Sequence, residues 1–214
     1  MTENFTDRRD RMVDHLVEQG RIERASTAAA LRAVPRHEFV PEERRRHAYD
    51  DRPLPIGEDQ TISAPHMVGI MLDLLALDPG DRVLEIGTGC GYHAAATAEV
   101  VGTENVYSVE YHESLAERAR ARLTALGYGD ISIRVGDGHA GWPAHAPYDA
   151  AYLTCAARAI PERVLDQVRD DGGRLLGPIG SRWQTLVLLR KRSDGSIDRE
   201  DHGGVRFVPM RGGE

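Results

Sequence analysis

Three carboxylates stand where short apolar runs of this chain end. Glu85 lies just before the loop Gly87-Thr88-Gly89-Cys90-Gly91. Glu110 closes the run VYSVE, 23 residues after Gly87, and Asp137 follows the run ISIRV between Gly136 and Gly138. A Gly-rich turn after a strand lets the backbone approach a ligand at the carboxyl edge of a parallel sheet. A dinucleotide fingerprint, G-x-G-x-x-G/A, asks for a third small residue at position 92. That position holds Tyr92, and the pattern here is G-x-G-x-G. An acid at Glu85 repels a pyrophosphate and suits a cationic group such as an amino-acid ammonium. A carboxylate at Glu110 can accept both hydroxyls of a ribose, and Asp137 can accept from an adenine amino group. Acid, glycines and acid in this order favour S-adenosylmethionine over NAD. The plainer readings are a turn that packs helix on strand, a solvated Glu110 and a turn Asp at 137.

A second cluster precedes these. Gln60-Thr61-Ile62-Ser63-Ala64-Pro65-His66 is rich in small polar groups between apolar segments. Ser63 has no acid–His pair nearby in sequence, so a Ser-His-Asp hydrolase is not supported. Thr61 and Ser63 are candidate caps for the helix that follows, and a cap here also presents a hydroxyl to whatever binds at the sheet edge.

The elements that must position these groups follow from periodicity. Met12, Val13, Leu16 and Val17 share one helical face, and Ser26 or Thr27 is placed to cap a second helix that Pro35 ends. Residues 51–66, with three Pro, read as a long ordered loop, and 67–77 as a buried helix. From residue 80, strands at 82–86, 106–110, 131–135 and 150–154 alternate with helices at 92–101, 114–126 and 161–168. Strands at 174–178, 185–190 and 205–208 follow, the last two flanking the polar turn SDGSIDREDHGG. The alternation implies an α/β fold: a mostly parallel seven-stranded sheet with helices on both faces, antiparallel strands at the C-terminal edge and an N-terminal helical extension. Residues 1–79 are read as the extension with its covering loop and 80–214 as the cofactor sheet, together one domain.

Composition limits the partners. The 214 residues carry 34 acids against 27 bases, a formal net charge of −7, and Lys191 is the only lysine. An acidic chain is a poor non-specific ligand for nucleic acid. Cys90 and Cys155 lie 65 residues apart, which is neither a metal-ligand spacing nor a disulfide framework, so no metal is expected. The start MTENFTDRRDRM lacks an apolar signal stretch and 67–77 is too short to span a bilayer. A cytoplasmic protein with no membrane partner is expected.

The motifs together carry a more specific resemblance. VPRHEFVPEERRRHAYDDRPLPIGEDQTISAPHMVGIML, VLEIGTGCGYHAA, VGDGHAGWPAHAPYDAAYLTCAA, GGRLLGPIG and VRFVPMRG fall in order between residues 34 and 211. In this the chain resembles the protein-L-isoaspartate O-methyltransferase family. The Gly loop is general to class I methyltransferases; the TISAPHM and FVP segments are more particular to the family. The resemblance implies a Rossmann-like class I methyltransferase fold and methyl transfer from S-adenosyl-L-methionine to the carboxylate of L-isoaspartyl residues in damaged proteins, which begins their repair. It implies Ser63 as the active residue. Thr61, Ser63, His66, Glu85, Gly87, Gly89, Glu110, Asp137 and Gly138 carry over as cofactor contacts; Ile56, Val205 and Val208 are candidate substrate contacts. It is expected to act as a monomer on isoaspartyl peptides and proteins. Backbone pairing at 205–208 is a candidate peptide clamp. Two positions depart from the family pattern: Asp59 stands where bacterial-type relatives usually have Gly, and Arg158 where many relatives have Pro. Asp59 would repel an anionic substrate and Arg158 would attract one. Other readings are a same-fold methyltransferase that esterifies Asp in a dedicated peptide, a non-catalytic cofactor-binding homologue and, more distantly, a nicotinamide dehydrogenase.

Overall fold

The computed structural model describes residues 4–213. Helices α1 (Phe5–Glu18) and α2 (Ala25–Ala33) open the chain, followed by a hairpin of β1 (Leu54–Gly57) and β2 (Gln60–Ile62) and helix α3 (Pro65–Leu75). The alternating part contains β3 (Val83–Ile86), α4 (Tyr92–Val101), β4 (Val106–Glu110), α5 (Glu113–Ala125), β5 (Ser132–Val135), β6 (Ala150–Leu153) and the short α6 (Glu162–Leu165). Strands β7 (Arg174–Gly180), β8 (Gln184–Lys191) and β9 (Ile197–Val205) end it. The sheet order is β5-β4-β3-β6-β7-β8-β9. The strands from β5 across to β7 pair in parallel, and β8 and β9 are antiparallel. The chain runs outward from β3 to β5 and returns on the other side of β3, so a switch point lies between the carboxyl ends of β3 and β6, where such sheets take ligands.

Alternation along the strands sends side chains to two apolar clusters. Val83, Val106, Ala150 and Tyr152 face one that also contains Leu16, Leu31, Phe39, Met71 and Ala94. Leu84, Ile86, Val109 and Leu153 face the other, which Val164 and Val168 close. The N-terminal extension therefore shares its core with the sheet. Buried Arg36 ties the two together: its Nε donates to Ala48 O and its guanidinium lies 4.9 Å from the Tyr92 ring centroid, at the start of α4. Among the described residues, no helix is long and apolar enough to cross a membrane.

Several local expectations are corrected. Residues 51–66 contain a β-hairpin rather than only loop. Its turn residues Glu58 and Asp59 both have positive φ, +51° and +55°, the geometry of a tight hairpin turn that ordinarily uses Asn and Gly. Asp59 thus sits in a backbone conformation that favours Gly. Helix α2 begins at Ala25, ahead of Ser26 and Thr27, and Asp73 of α3 accepts from the amides of Glu23 and Arg24 instead. Thr61 and Ser63 do not cap α3; Asp51 accepts from His66 N at 3.0 Å. The helix expected at 161–168 is one turn. The last strand covers 197–205, through the segment read as turn, rather than 205–208. As an exposed edge strand β9 needs no apolar alternation. Its charges pair with β8 and the turn that follows it, Arg190 with Glu200 and Arg192 with Asp198.

Candidate active site

The loop after β3 turns at Gly87, where φ is +98°. A Cβ there would lie 2.3 Å from Thr154 Oγ1, whose hydroxyl donates to Gly87 O at 2.5 Å. Only Gly lets the ends of β3 and β6 close on each other this way. Gly89 follows, and its N–H donates to Glu110 Oε2 at 2.7 Å, while His112 N donates to Oε1 at 2.9 Å. Two backbone donors therefore fix the Glu110 carboxylate at the end of β4, and each oxygen keeps a further lone pair.

Glu110 lines a pocket, open to solvent and spanning about 730 Å³, together with Thr61, Ser63, Gly87, Gly89, Gly138 and Val208. Seven residues expected at the site, from five separate segments, thus meet in one cavity. Neither Thr61 nor Ser63 has a side-chain hydrogen bond among the described residues, so both hydroxyls are free to serve a ligand. The hairpin that carries Thr61 is held down by Ser114, which donates to Glu58 Oε1 at 2.6 Å.

Five expected residues lie elsewhere. Glu85 is fully buried and does not face the pocket. It stands in register with Ser108 on β4 and Tyr152 on β6, and both hydroxyls donate to it, at 2.5 and 2.9 Å. Thr88 and Thr97 extend the row at 2.6 and 2.9 Å. Burial pushes the Glu85 carboxyl up to about 8, against the lowering effect of those hydrogen bonds, so it is a largely neutral group at pH 7 under the loop. His66 turns away to Asp51, 2.8 Å from its Nδ1. Asp137 is occupied as well: His139 N donates to one oxygen and Gly213 N to the other. Burial works to raise its pKa, but these bonds outweigh it and hold the carboxyl below the usual range. Ile56 packs on the glycine loop, 3.3 Å from a Cβ built at Gly89, rather than in the pocket. Val205 lines an adjoining groove. The backbone at 205–208 is largely committed: Val205 pairs with Gln184 in β8, the Gln184 side chain bonds both N and O of Phe207, and Val208 O accepts from Ala156 N. A peptide clamp on this stretch has few free groups to use.

The pocket also holds residues that the motif reading passed over: Thr88, His93, Thr154, Cys155, Met210 and Arg211. His93 is buried and neither ring nitrogen has a partner among the described residues. Burial pushes its pKa down to about 3, which leaves a neutral imidazole with one donor and one acceptor. The signal for it was its place two residues after Gly91. The Cys155 thiol is pushed up to about 12 by burial, with Glu110 and Glu85 adding to the shift, so it is no thiolate nucleophile.

Known proteins resemble this chain in sequence and in fold. The sequence profile of the family described as Protein-L-isoaspartate(D-aspartate) O-methyltransferase matches residues 7–214. The Protein-L-isoaspartate O-methyltransferase 2 of Archaeoglobus fulgidus is 49% identical over 210 residues, covering 98% of this chain and 95% of its own. The Protein-L-isoaspartate O-methyltransferase of Methanothermobacter thermautotrophicus is 49% identical with 96% of each chain covered. A solved protein-L-isoaspartate O-methyltransferase superposes with a TM-score of 0.85 at 31% identity, over 95% of this chain and 66% of that one. By profile, by sequence and by fold, the chain belongs to the protein-L-isoaspartate (D-aspartate) O-methyltransferase family.

Proposed function

We propose that this protein is an S-adenosyl-L-methionine-dependent carboxyl methyltransferase that esterifies L-isoaspartyl residues in damaged proteins and so begins their repair. The observation that carries this reading is the convergence of the Thr61–Ser63 segment, the glycine loop and Glu110 on one pocket in a chain of this family. We further take it to act as a monomer in the cytoplasm, with isoaspartyl peptides and proteins as its partners.

The pocket residues fit the cofactor. Glu110, held by two backbone donors, presents its remaining lone pairs to the paired hydroxyls of a ribose. His93 supplies a buried donor and acceptor that nothing else satisfies. Gly87, Gly89 and Gly138 keep the walls low where the backbone must come close. Asp137 keeps a lone pair on the oxygen that Gly213 N meets but does not line the pocket, whereas Gly138 does. When bound, S-adenosyl-L-methionine supplies a methyl group on a sulfonium sulfur, which a carboxylate takes by in-line displacement.

The chain's residues have little proton chemistry to do. A substrate carboxyl, with an ordinary pKa near 4, is already ionised at neutral pH, so a strong base is unnecessary. Neutral His93 and protonated Cys155 suit that requirement. Ser63 donates to and orients the carboxylate; it does not attack. Thr61 shapes the same wall. Glu85 acts beneath the site by fixing Ser108 and Thr88 under the loop. Alignment of this kind contributes up to roughly 7–11 kcal/mol.

The test uses labelled S-adenosyl-L-methionine with two peptides that differ only in Asp against isoaspartate. Label is expected on the isoaspartyl peptide alone. Equal labelling of both, or of neither, overturns the reading. Ser63→Ala is expected to lower kcat about tenfold, the value of one lost hydrogen bond to a charged group, while affinity for S-adenosyl-L-homocysteine stays within about twofold. Unchanged turnover removes Ser63 from the mechanism.

A further inference from the structure

A groove runs on from the cofactor pocket and shares Pro209, Met210 and Arg211 with it. Arg158, Arg182, Arg206 and Arg211 line this groove, and no Asp or Glu does. In a chain with more acids than bases, four exposed arginines along one groove stand out. They come from four places in the fold: the loop after β6, the β7–β8 turn, the residue after β9 and the C-terminal segment.

None of the four has an ion pair or a side-chain hydrogen bond among the described residues. The arginines of the neighbouring hairpin behave differently. Arg190, Arg192 and Arg199 each pair with an acid. The groove arginines are therefore available to a ligand with no internal pair to break. Their supports are stitched together: Ala156 N donates to Val208 O, Met210 N to Ala156 O, and Gly180 N to Ala157 O. Trp183, 91% exposed, sits beside Arg182 in the β7–β8 turn and lines the same groove. An exposed Trp next to unpaired guanidinium groups is the surface chemistry of a recognition site.

We propose that this groove binds acidic residues flanking the isoaspartyl residue of the substrate, so that the enzyme prefers damage in acidic segments. The proposal rests on the methyltransferase reading and names its substrate class. Continuity with the pocket makes the occupant a polypeptide whose one residue enters the pocket while its neighbours lie along the arginines. Each carboxylate finds a guanidinium fork, and basic flanks are repelled.

The experiment compares isoaspartyl peptides of one length whose two residues on either side are Glu, Gln or Lys. The Glu peptide is expected to exceed the Gln peptide in kcat/KM by about fivefold at low salt, the value of a few exposed ion pairs. The Lys peptide falls below both, and the advantage shrinks toward one at about 1 M salt. The combined variant Arg158→Gln, Arg182→Gln, Arg206→Gln is expected to bring the Glu-to-Gln ratio close to one. Equal rates for Glu and Gln peptides in the wild type, or a ratio the variant leaves intact, overturns the proposal. Methylation of the Gln peptide tests the activity itself, so loss of that signal counts against the enzyme reading instead. Binding of a Glu-rich peptide without isoaspartate, followed by the fluorescence that Trp183→Phe removes, reads the groove without any turnover. A single-stranded oligonucleotide of equal charge that binds there more tightly than the Glu-rich peptide overturns the proposal in favour of nucleic acid.

Discussion

Glu85 and Glu110 are the same residue type on neighbouring strands near the same edge of the sheet, yet they do opposite work. Glu85 is the third of four residues in β3 and points into the helix-covered face, where Ser108 and Tyr152 donate to it. Glu110 is the last residue of β4, at the pocket, and the loop backbone grips it from two sides. One became part of the floor and the other part of the site. Position along the strand decides this: Glu110 is two residues beyond Ser108, the register partner of Glu85, so it shares that face but stands past the end of β3, where the sheet opens to the pocket.

The largest way to break the comparison is Glu85→Ala. It removes the shared acceptor of two buried hydroxyls and leaves a void, at a cost of about 4 kcal/mol. Urea denaturation should show this, and a midpoint equal to that of the wild type would mean that the row is not structural. A subtler test uses pH. The folded-state pKa of Glu85 is raised to about 8 from 4.5, so the folded chain keeps a proton that the unfolded chain releases. Its contribution to stability is complete below about pH 4.5 and is lost as pH rises toward 8. Glu85→Gln carries no such proton. Relative to that variant, the wild type should lose on the order of 4 kcal/mol between pH 4.5 and 8; a constant difference between the two would show that folding does not raise this pKa.

Glu110 should answer to ligand rather than to denaturant. Glu110→Ala is expected to weaken S-adenosyl-L-homocysteine by about 50-fold, or roughly 2.3 kcal/mol, with a smaller stability loss than Glu85→Ala. Calorimetry that finds the same affinity would refute the ribose assignment. The smallest effect concerns the hairpin that leans on the glycine loop through Ile56. Asp59→Gly removes a left-handed non-Gly residue and should raise stability by up to about 1 kcal/mol, read as a higher Tm. A lower Tm would show that the Asp59 side chain contributes more than its backbone costs.

The same contrast explains what could be read from sequence. The alternation of β3 through β6 with α4 and α5 was legible because buried strands and amphipathic helices have distinct periods. The glycine loop and Glu110 were legible because the motif is local. The partners of Glu85 were not, since Tyr152 lies 67 residues away and reaches it only through sheet register. The hairpin at 54–62 was hidden because its strands are only four and three residues long and Glu58 is a poor residue type for a left-handed turn position. Strand β9 was hidden because an edge exposed on both faces carries no apolar alternation. The occupation of Asp137 depends on Gly213, which only the folded chain brings near.

That exposed edge has a consequence for solubility. β9 leaves one row of backbone N–H and C=O groups unpaired, the kind of template on which strands of other chains add and aggregates grow. Asp198, Arg199, Glu200 and Asp201 are consecutive there and all lie in the strand. A second strand laid against them would have to desolvate four adjacent charged side chains. The hairpin thus works as a barrier to aggregation, one well suited to a protein whose business is with damaged, extended chains.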